Sequence, residues 1–155
     1  MPCAISGRRC ITASTLYTRD TFNREMLKEE DEMQIFRSIL QVVVALCLLN
    51  VWLIRYRRST AYRGGNARSM REEFELYGLP TWSIYVIGTM KVGAALCLLA
   101  GLWLPMLVLP SAILICILMI GALAMHLKVG DSALKSLPAL SILVLSIGIA
   151  VLGRL

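Results

Sequence analysis

The chain has 155 residues, of which 57% are apolar and only 17% are charged. Its 11 glycines raise the apolar share to roughly 64%, against about 45–50% in a soluble domain counted the same way. The charges are unevenly placed, because residues 81–155 contain only Lys91, Lys128, Asp131, Lys135 and Arg154. This composition excludes an ordinary cytosolic globule and is typical of a membrane protein.

The first 34 residues differ from the rest of the chain because they are polar. They include the acidic run Glu29-Glu30-Asp31-Glu32. We expect residues 1–34 to be a disordered N-terminal extension, since such a segment has too little apolar surface to form a core. Met33 directly precedes the first apolar run, so a start of the protein at Met33 is an open alternative.

Four apolar segments follow, each long enough to cross the hydrocarbon layer as a helix. They occupy about residues 35–54, 82–104, 106–127 and 133–152. The second and third belong to one uncharged stretch that as a single helix would measure about 51 Å, so we expect it to fold back at Trp103-Leu104-Pro105. The pattern predicts an all-α integral membrane four-helix bundle over residues 35–153.

The first loop is longer than the other connections, and its second half has a helical pattern. Met70, Phe74 and Tyr77 recur at positions i, i+4 and i+7, and Gly78 and Pro80 then close the segment. We expect a short interfacial helix here, with these three side chains forming a face that packs over the bundle.

The net charge of +6 comes from basic residues that flank the spans. In this position basic residues determine the topology of a membrane protein, so they do not indicate a nucleic-acid partner. No basic stripe runs beside stacking aromatic residues, so we expect no nucleic-acid binding. The first and third loops hold eight bases: Arg55, Arg57, Arg58, Arg63, Arg68, Arg71, Lys128 and Lys135. The opposite side has five: Arg19, Arg24, Lys28, Arg37 and Arg154. We expect the first loop in the cytoplasm and both termini outside.

Lys91 is the most unusual residue of the spans, because it lies ten residues into the second one. An ammonium near mid-bilayer costs about 2.5–3.5 kcal/mol on insertion scales, so Lys91 should face the bundle or a water-filled cavity. Its candidate partners are Asn50, Gln41 and Asp131. Two interpretations are open: Lys91 is a coupling site or anchors an anionic or quinone-like ligand, or it snorkels toward the interface while its stem packs on neighbours.

His126 and Asp131 lie where the third span ends, and Asn50 lies in the first. His126 and Asp131 could form a proton-exchange pair, with the carboxylate orienting the imidazole. The alternative is a histidine at headgroup level near a helix C-terminus, where positive charge is favourable. Asn50 could form a hydrogen bond across helices. The sequence contains no Cys/His cluster for a metal, no P-loop and only one histidine, which excludes a haem held by two histidines of one chain.

Four segments resemble, in order and spacing, the DoxX-like family of small four-helix membrane proteins. They are Tyr77-Gly78-Leu79-Pro80, Ile87-Gly88-Thr89-Met90-Lys91, Met125 to Asp131, and Leu137-Pro138-Ala139-Leu140. The resemblance covers roughly residues 35–153 and implies a multi-pass protein of a bacterial inner membrane. The sequence itself shows no evident cofactor site. The family is named for a link to thiosulfate:quinone oxidoreductase, so a quinone is a cofactor that only the resemblance implies. Lys91 departs from the pattern, because relatives commonly have glutamate there.

The resemblance therefore implies an accessory subunit of a quinone-linked membrane redox system, with a membrane redox partner or a second copy of the chain beside it. The alternative is a noncatalytic scaffold or assembly factor, which is favoured by the missing catalytic constellation and by the long basic first loop. A third interpretation, a small-solute or proton transporter, would require oligomerisation because one four-helix unit has no inverted repeat.

Overall fold

The computed structural model describes residues 13–154 apart from residues 57, 59 and 66, with side chains from Thr21 onward. Within them the elements are α1 (Ala13–Leu49), a π-helical turn (Asn50–Ile54), α2 (Met70–Leu76), α3 (Thr81–Ala100), a 3-10 turn (Pro105–Leu107), α4 (Val108–Lys128) and α5 (Ala133–Leu152). The chain divides into two units, residues 1–35 and residues 36–155.

The first unit differs from the disordered extension that we expected, because α1 already begins at Ala13. All described side chains from Thr21 to Ile35 are exposed, so no core stabilises this part of the helix. Its many Glu, Lys, Arg, Met and Leu residues are good helix formers, and Lys28 and Glu32 lie 3.9 Å apart one turn away from each other. Residues 1–12 of the expected extension lie outside the described residues.

The membrane-spanning pattern predicted from the sequence is confirmed. Among the described residues, four helical segments are long and apolar enough to cross a membrane: Thr21–Ile54, Thr81–Ala100, Pro105–Lys128 and Ala133–Leu152. The fold-back between the second and third lies at Trp103-Leu104-Pro105, as predicted, although α3 ends at Ala100, four residues earlier than expected. The proline forces the chain out of the helix before α4 begins.

The short helix predicted in the first loop is α2. The Ser69 hydroxyl accepts a hydrogen bond from the backbone N–H of Glu72 at 3.3 Å and so caps the helix. Gly78, with φ of +74°, ends it in a left-handed conformation that favours glycine. The face formed by Met70, Phe74 and Tyr77 is buried, as the spacing predicted.

The described residues of the second unit form two apolar clusters. The larger one is formed by α1, α3, α4 and α5, where small residues let the helix backbones approach closely. Its buried members are Val44, Ala45, Leu48, Ala94, Ala95, Leu98, Val108, Ala112, Ile115, Met119 and Ile149. The smaller cluster joins α2 to the spans through Trp52, Met70, Phe74 and Ile84. Between the two clusters, at the end of the bundle covered by the first loop, lies the candidate site.

Candidate functional site

A cavity of about 500 Å³ lies in the second unit, under the first loop. This volume falls in the range of roughly 300–1,000 Å³ that small-molecule sites occupy. Most of its wall is apolar: Leu48, Val51, Trp52, Met70, Phe74, Leu79, Ile87, Ile117, Leu118, Met119, Ala122, Met125, Ala139 and Ile142. The lining residues of α4 run from Ile117 to His126, so the cavity extends about 13 Å along that helix.

The loop end of the cavity is closed by a buried ion pair. Arg63 Nη1 lies 3.1 Å from Glu73 Oε2, and these side chains are only 6% and 10% exposed. The remaining guanidinium N–H groups donate to the backbone carbonyls of Arg55 at 2.7 Å, Tyr56 at 3.2 Å and Arg58 at 3.0 Å. Arg63 therefore ties the irregular first loop to α2 and supplies partners for carbonyls at the end of the first span.

Glu73 also organises the residues around it. Its Oε1 accepts hydrogen bonds from the Gly64 N–H at 2.8 Å and from the Tyr77 hydroxyl at 3.0 Å. Gly64 has to be small, because a Cβ atom there would lie 2.3 Å from the Tyr77 hydroxyl oxygen. The loop backbone, α2 and the cavity wall are thus held by one carboxylate.

His126 lies at the inner side of this group, near the end of α4. Its Nδ1 is 2.9 Å from Asp131 Oδ2 and 3.3 Å from the Tyr77 hydroxyl oxygen. Because the Tyr77 proton points to Glu73 and an ionised Asp131 only accepts, Nδ1 carries a proton and donates it to Asp131. Nε2 has no hydrogen-bond partner among the described residues, and His126 lines the cavity. Nε2 is therefore the nitrogen through which the imidazole can bond to a ligand.

Asp131 connects the α4–α5 turn to the first loop. Its Oδ1 accepts a hydrogen bond from the Gly65 N–H at 2.8 Å and lies 3.5 Å from the Lys135 ammonium, which also donates to the Gly65 carbonyl. Burial alone would raise the pKa of Asp131. The hydrogen bonds from His126 and Gly65 and the charge of Lys135 outweigh it, so the pKa is lowered and the carboxylate stays ionised.

Tyr77 is the link between the two carboxylates. Burial, followed by the negative charge of Glu73 and the hydrogen bond to it, raises the pKa of Tyr77 well above its ordinary value. The hydroxyl therefore stays neutral and remains a donor to Glu73. The Lys128 ammonium, outside the cavity, donates to the Tyr77 carbonyl at 3.0 Å and fixes the end of α2.

Lys91 lines the same cavity, with its ammonium 5.4 Å from the centre of the Trp52 ring. It is half-buried and lies about 15 Å along α3 from Thr81. None of its expected partners contacts it: among the described residues, Lys91 forms no hydrogen bond or ion pair with Asn50, Gln41 or Asp131. A cation–π contact with Trp52 takes their place.

Asn50 and Gln41 lie elsewhere. Asn50 is exposed, in the π-helical turn, and its carbonyl accepts a hydrogen bond from the Arg55 N–H at 2.9 Å. A π-helical turn has one more residue between hydrogen-bonded groups than an α-helix has, so it changes the direction in which the following side chains point. As a result Trp52 lines the cavity and Asn50 does not. Gln41 is buried in the bundle, and its amide nitrogen has no hydrogen-bond partner among the described residues.

Arg63 and Glu73 belong to the site but were not among the residues predicted from the sequence. A signal existed for Glu73, because it is three residues after Met70 and four before Tyr77 and so shares their buried face. Nothing comparable existed for Arg63, which lies in an irregular loop and reaches Glu73 only through the tertiary fold.

The family model for the DoxX-like family matches residues 39–149. The chain belongs to the DoxX-like family. This membership, together with the four apolar helices, makes it a multi-pass integral membrane protein. The match includes the cavity-lining parts of α1, α3, α4 and α5 and the whole of α2. No curated protein and no solved structure matches the chain.

Proposed function

We propose that this DoxX-like protein is an accessory subunit of a quinone-linked redox system of a bacterial inner membrane, and that its cavity holds the quinone ring. The observation that carries the proposal is one cavity with an apolar wall and, at one end, a buried imidazole held by Asp131 and Tyr77. Sites for apolar ligands commonly combine a hydrophobic wall with a few placed polar groups.

The residues present fit such a group. A quinone presents two carbonyl oxygens on an apolar ring, and each accepts a hydrogen bond. His126 Nε2, once protonated, and the Lys91 ammonium are two donors without a hydrogen-bonded partner among the described residues, and both belong to this cavity. Trp52 and Phe74 supply aromatic wall surface between the loop and the bundle.

The residues around the cavity would orient the ring and manage its protons. A bound quinone supplies two-electron, two-proton redox chemistry. Asp131 holds the His126 ring in place through Nδ1, so that Nε2 faces the cavity and can exchange a proton with a ligand there. The Arg63–Glu73 pair keeps the first loop over the cavity and limits the entry of water. Electrons would come from a separate redox partner in the membrane.

A binding measurement tests the proposal. The chain has three tryptophans, of which Trp82 and Trp103 are 65% and 79% exposed while Trp52 lines the cavity. In a Trp82→Phe/Trp103→Phe variant in mild detergent, decyl-ubiquinone or a short-chain menaquinone should quench Trp52 fluorescence in a saturable way. The additional change His126→Gln should weaken binding by about tenfold, the value of one hydrogen bond.

Two controls separate specific binding from partition into detergent. A Trp52→Phe variant that retains Trp82 and Trp103 should show only linear, unsaturable quenching. Mass spectrometry of lipids extracted from the purified protein should detect a quinone in the unmodified chain. Linear quenching in both variants, together with a stable nonredox partner in the preparation, would contradict the proposal and favour the scaffold interpretation.

A further inference from the structure

Positively charged side chains outnumber negatively charged ones in the described wall of the cavity. Among the residues that the structure describes, four cationic side chains line it, Arg55, Arg63, Lys91 and Lys135, against one anionic side chain, Glu73. Arg63 is neutralised by Glu73, and Lys135 lies 3.5 Å from Asp131 behind the wall. Arg55 is exposed at the loop. Lys91 is therefore the cation that lies deep in the cavity with no carboxylate in contact, among the residues the structure describes.

The environment of Lys91 increases the attraction that its ammonium exerts on an anion. The cation–π contact with Trp52 uses one face of the ammonium and satisfies none of its three N–H donors. Helix surfaces around it are apolar, so the local dielectric constant is low and a charge there interacts strongly. A ligand with a negatively charged oxygen would remove the cost of the unpaired ammonium.

The shape of the wall favours a planar anion. A row of aromatic rings in contact connects Lys91 to His126 in space. The ring centres of Trp52 and Phe74 are 6.3 Å apart, with an interplanar angle of 83°. Those of Phe74 and Tyr77 are 6.4 Å apart, and those of Tyr77 and His126 are 5.8 Å apart. Aromatic rings that line a wall can stack on, or meet edge to face, another ring, so they suit a planar ligand better than a flexible chain. Gly88 makes room for this wall, because a Cβ atom there would lie 2.7 Å from Trp52.

We infer that Lys91 is a specificity-determining residue that selects, among quinone-type ligands, those with a negative charge on a ring oxygen, such as an ionised hydroxyquinone or a singly deprotonated quinol. The inference rests on the proposed quinone site and adds the charge state of its ligand. The shared chemistry is a lipophilic oxygen anion, which a fatty acid also provides.

Two matched probes test this selection in the Trp82→Phe/Trp103→Phe background. One is a 2-hydroxy-3-alkyl-1,4-naphthoquinone, whose hydroxyl is ionised at neutral pH, and the other is its neutral methyl ether. The anionic probe should bind at least about tenfold more tightly than the ether. Lys91→Met should abolish that preference, and Lys91→Arg should keep it. Arg71→Gln, which removes an exposed charge on α2, should leave it unchanged.

The outcomes distinguish this inference from the proposed function. Equal binding of both probes, or a preference that persists in Lys91→Met, would overturn the role of Lys91 and leave the quinone site standing. Saturable binding of neither probe would overturn the site itself. Oleate tests whether the ligand is planar. If oleate displaces the naphthoquinone anion and binds more tightly than that anion does, the preference for a planar ligand is overturned. Circular dichroism and gel filtration establish that each variant is folded, and Lys91→Arg provides the readout if Lys91→Met is not.

Discussion

The two ends of the bundle are built differently. At the end away from the first loop, α1, α3, α4 and α5 interlock through small and branched apolar residues, among them Ala95, Leu98 and Ile115, which are fully buried. At the loop end, charged and hydrogen-bonded residues such as Arg63, Glu73 and Asp131 join segments that lie far apart in sequence. The first end is filled, and the second contains a cavity of about 500 Å³.

The two ends also differ in how far their buried polar atoms are hydrogen-bonded. In the filled end, the amide nitrogen of Gln41 and the hydroxyl of Ser146 are buried without a hydrogen-bond partner among the described residues. At the loop end, Glu73 and Asp131 each accept several hydrogen bonds. Because lipid is as apolar as a leucine side chain, burial does not press helices together, and close packing and hydrogen bonds have to do so. The comparison teaches that hydrogen bonds can hold helix ends together around an open space.

The largest expected effect is at the ion pair of the loop end. Glu73→Ala leaves the Arg63 guanidinium buried without its carboxylate and removes the acceptor for Gly64 and Tyr77. We expect a loss of about 3–5 kcal/mol in the free energy of unfolding. Titration of the detergent-solubilised protein with SDS, followed by circular dichroism, measures it.

A matched control lies two residues further along the same helix, on its exposed side. Glu75 pairs with Arg71 at 3.1 Å, but both side chains are more than half exposed. Glu75→Ala should cost about 0.3–0.5 kcal/mol, because exposed pairs spaced four residues apart on a helix contribute little. Equal losses in the two variants would show that the buried pair does not hold the loop end together.

The next effect concerns the filled end. Ala95 is fully buried where α3 packs in the larger apolar cluster, so Ala95→Leu inserts three carbon atoms into filled space. We expect a loss of about 1–3 kcal/mol from overpacking. Quenching of Trp52 by quinone should remain saturable, because the cavity wall is not altered. Loss of ligand binding with unchanged stability would reverse the comparison between the two ends.

Apart from the Glu75 control, the smallest effect is a pH-dependent one at Asp131. Asp131→Asn replaces charge-assisted hydrogen bonds by neutral ones and should cost about 1 kcal/mol at pH 7. The pKa of Asp131 is lowered in the folded protein, so its contribution is complete above the unfolded pKa of about 3.9 and is lost as the pH falls below that value. The difference in stability between the unmodified chain and the variant should therefore shrink as the pH falls from about 5 to about 3. A difference that stays constant over this range would contradict the assignment.

The four membrane spans could be predicted from the sequence because each depends on local composition. A run of about twenty apolar residues has few alternatives in a membrane, where every backbone polar group needs an internal partner. The same local logic placed α2 from the spacing of Met70, Phe74 and Tyr77, and the fold-back at Trp103-Leu104-Pro105. It failed for the helix start at Ala13, because exposed helix formers and a disordered tail have similar polar composition.

The sequence by itself determined that this protein is an all-helical, multi-pass membrane protein and drew attention to Lys91, His126 and Asp131, because an intramembrane charge is costly enough to be conspicuous in one dimension. Only the tertiary structure decided which polar residues meet. It turned Asn50 outward through the π-helical turn, placed Lys91 over Trp52, and brought Arg63 to Glu73 beside a cavity. These contacts join residues on different elements, and their geometry depends on helix rotation and loop path, which no local pattern encodes.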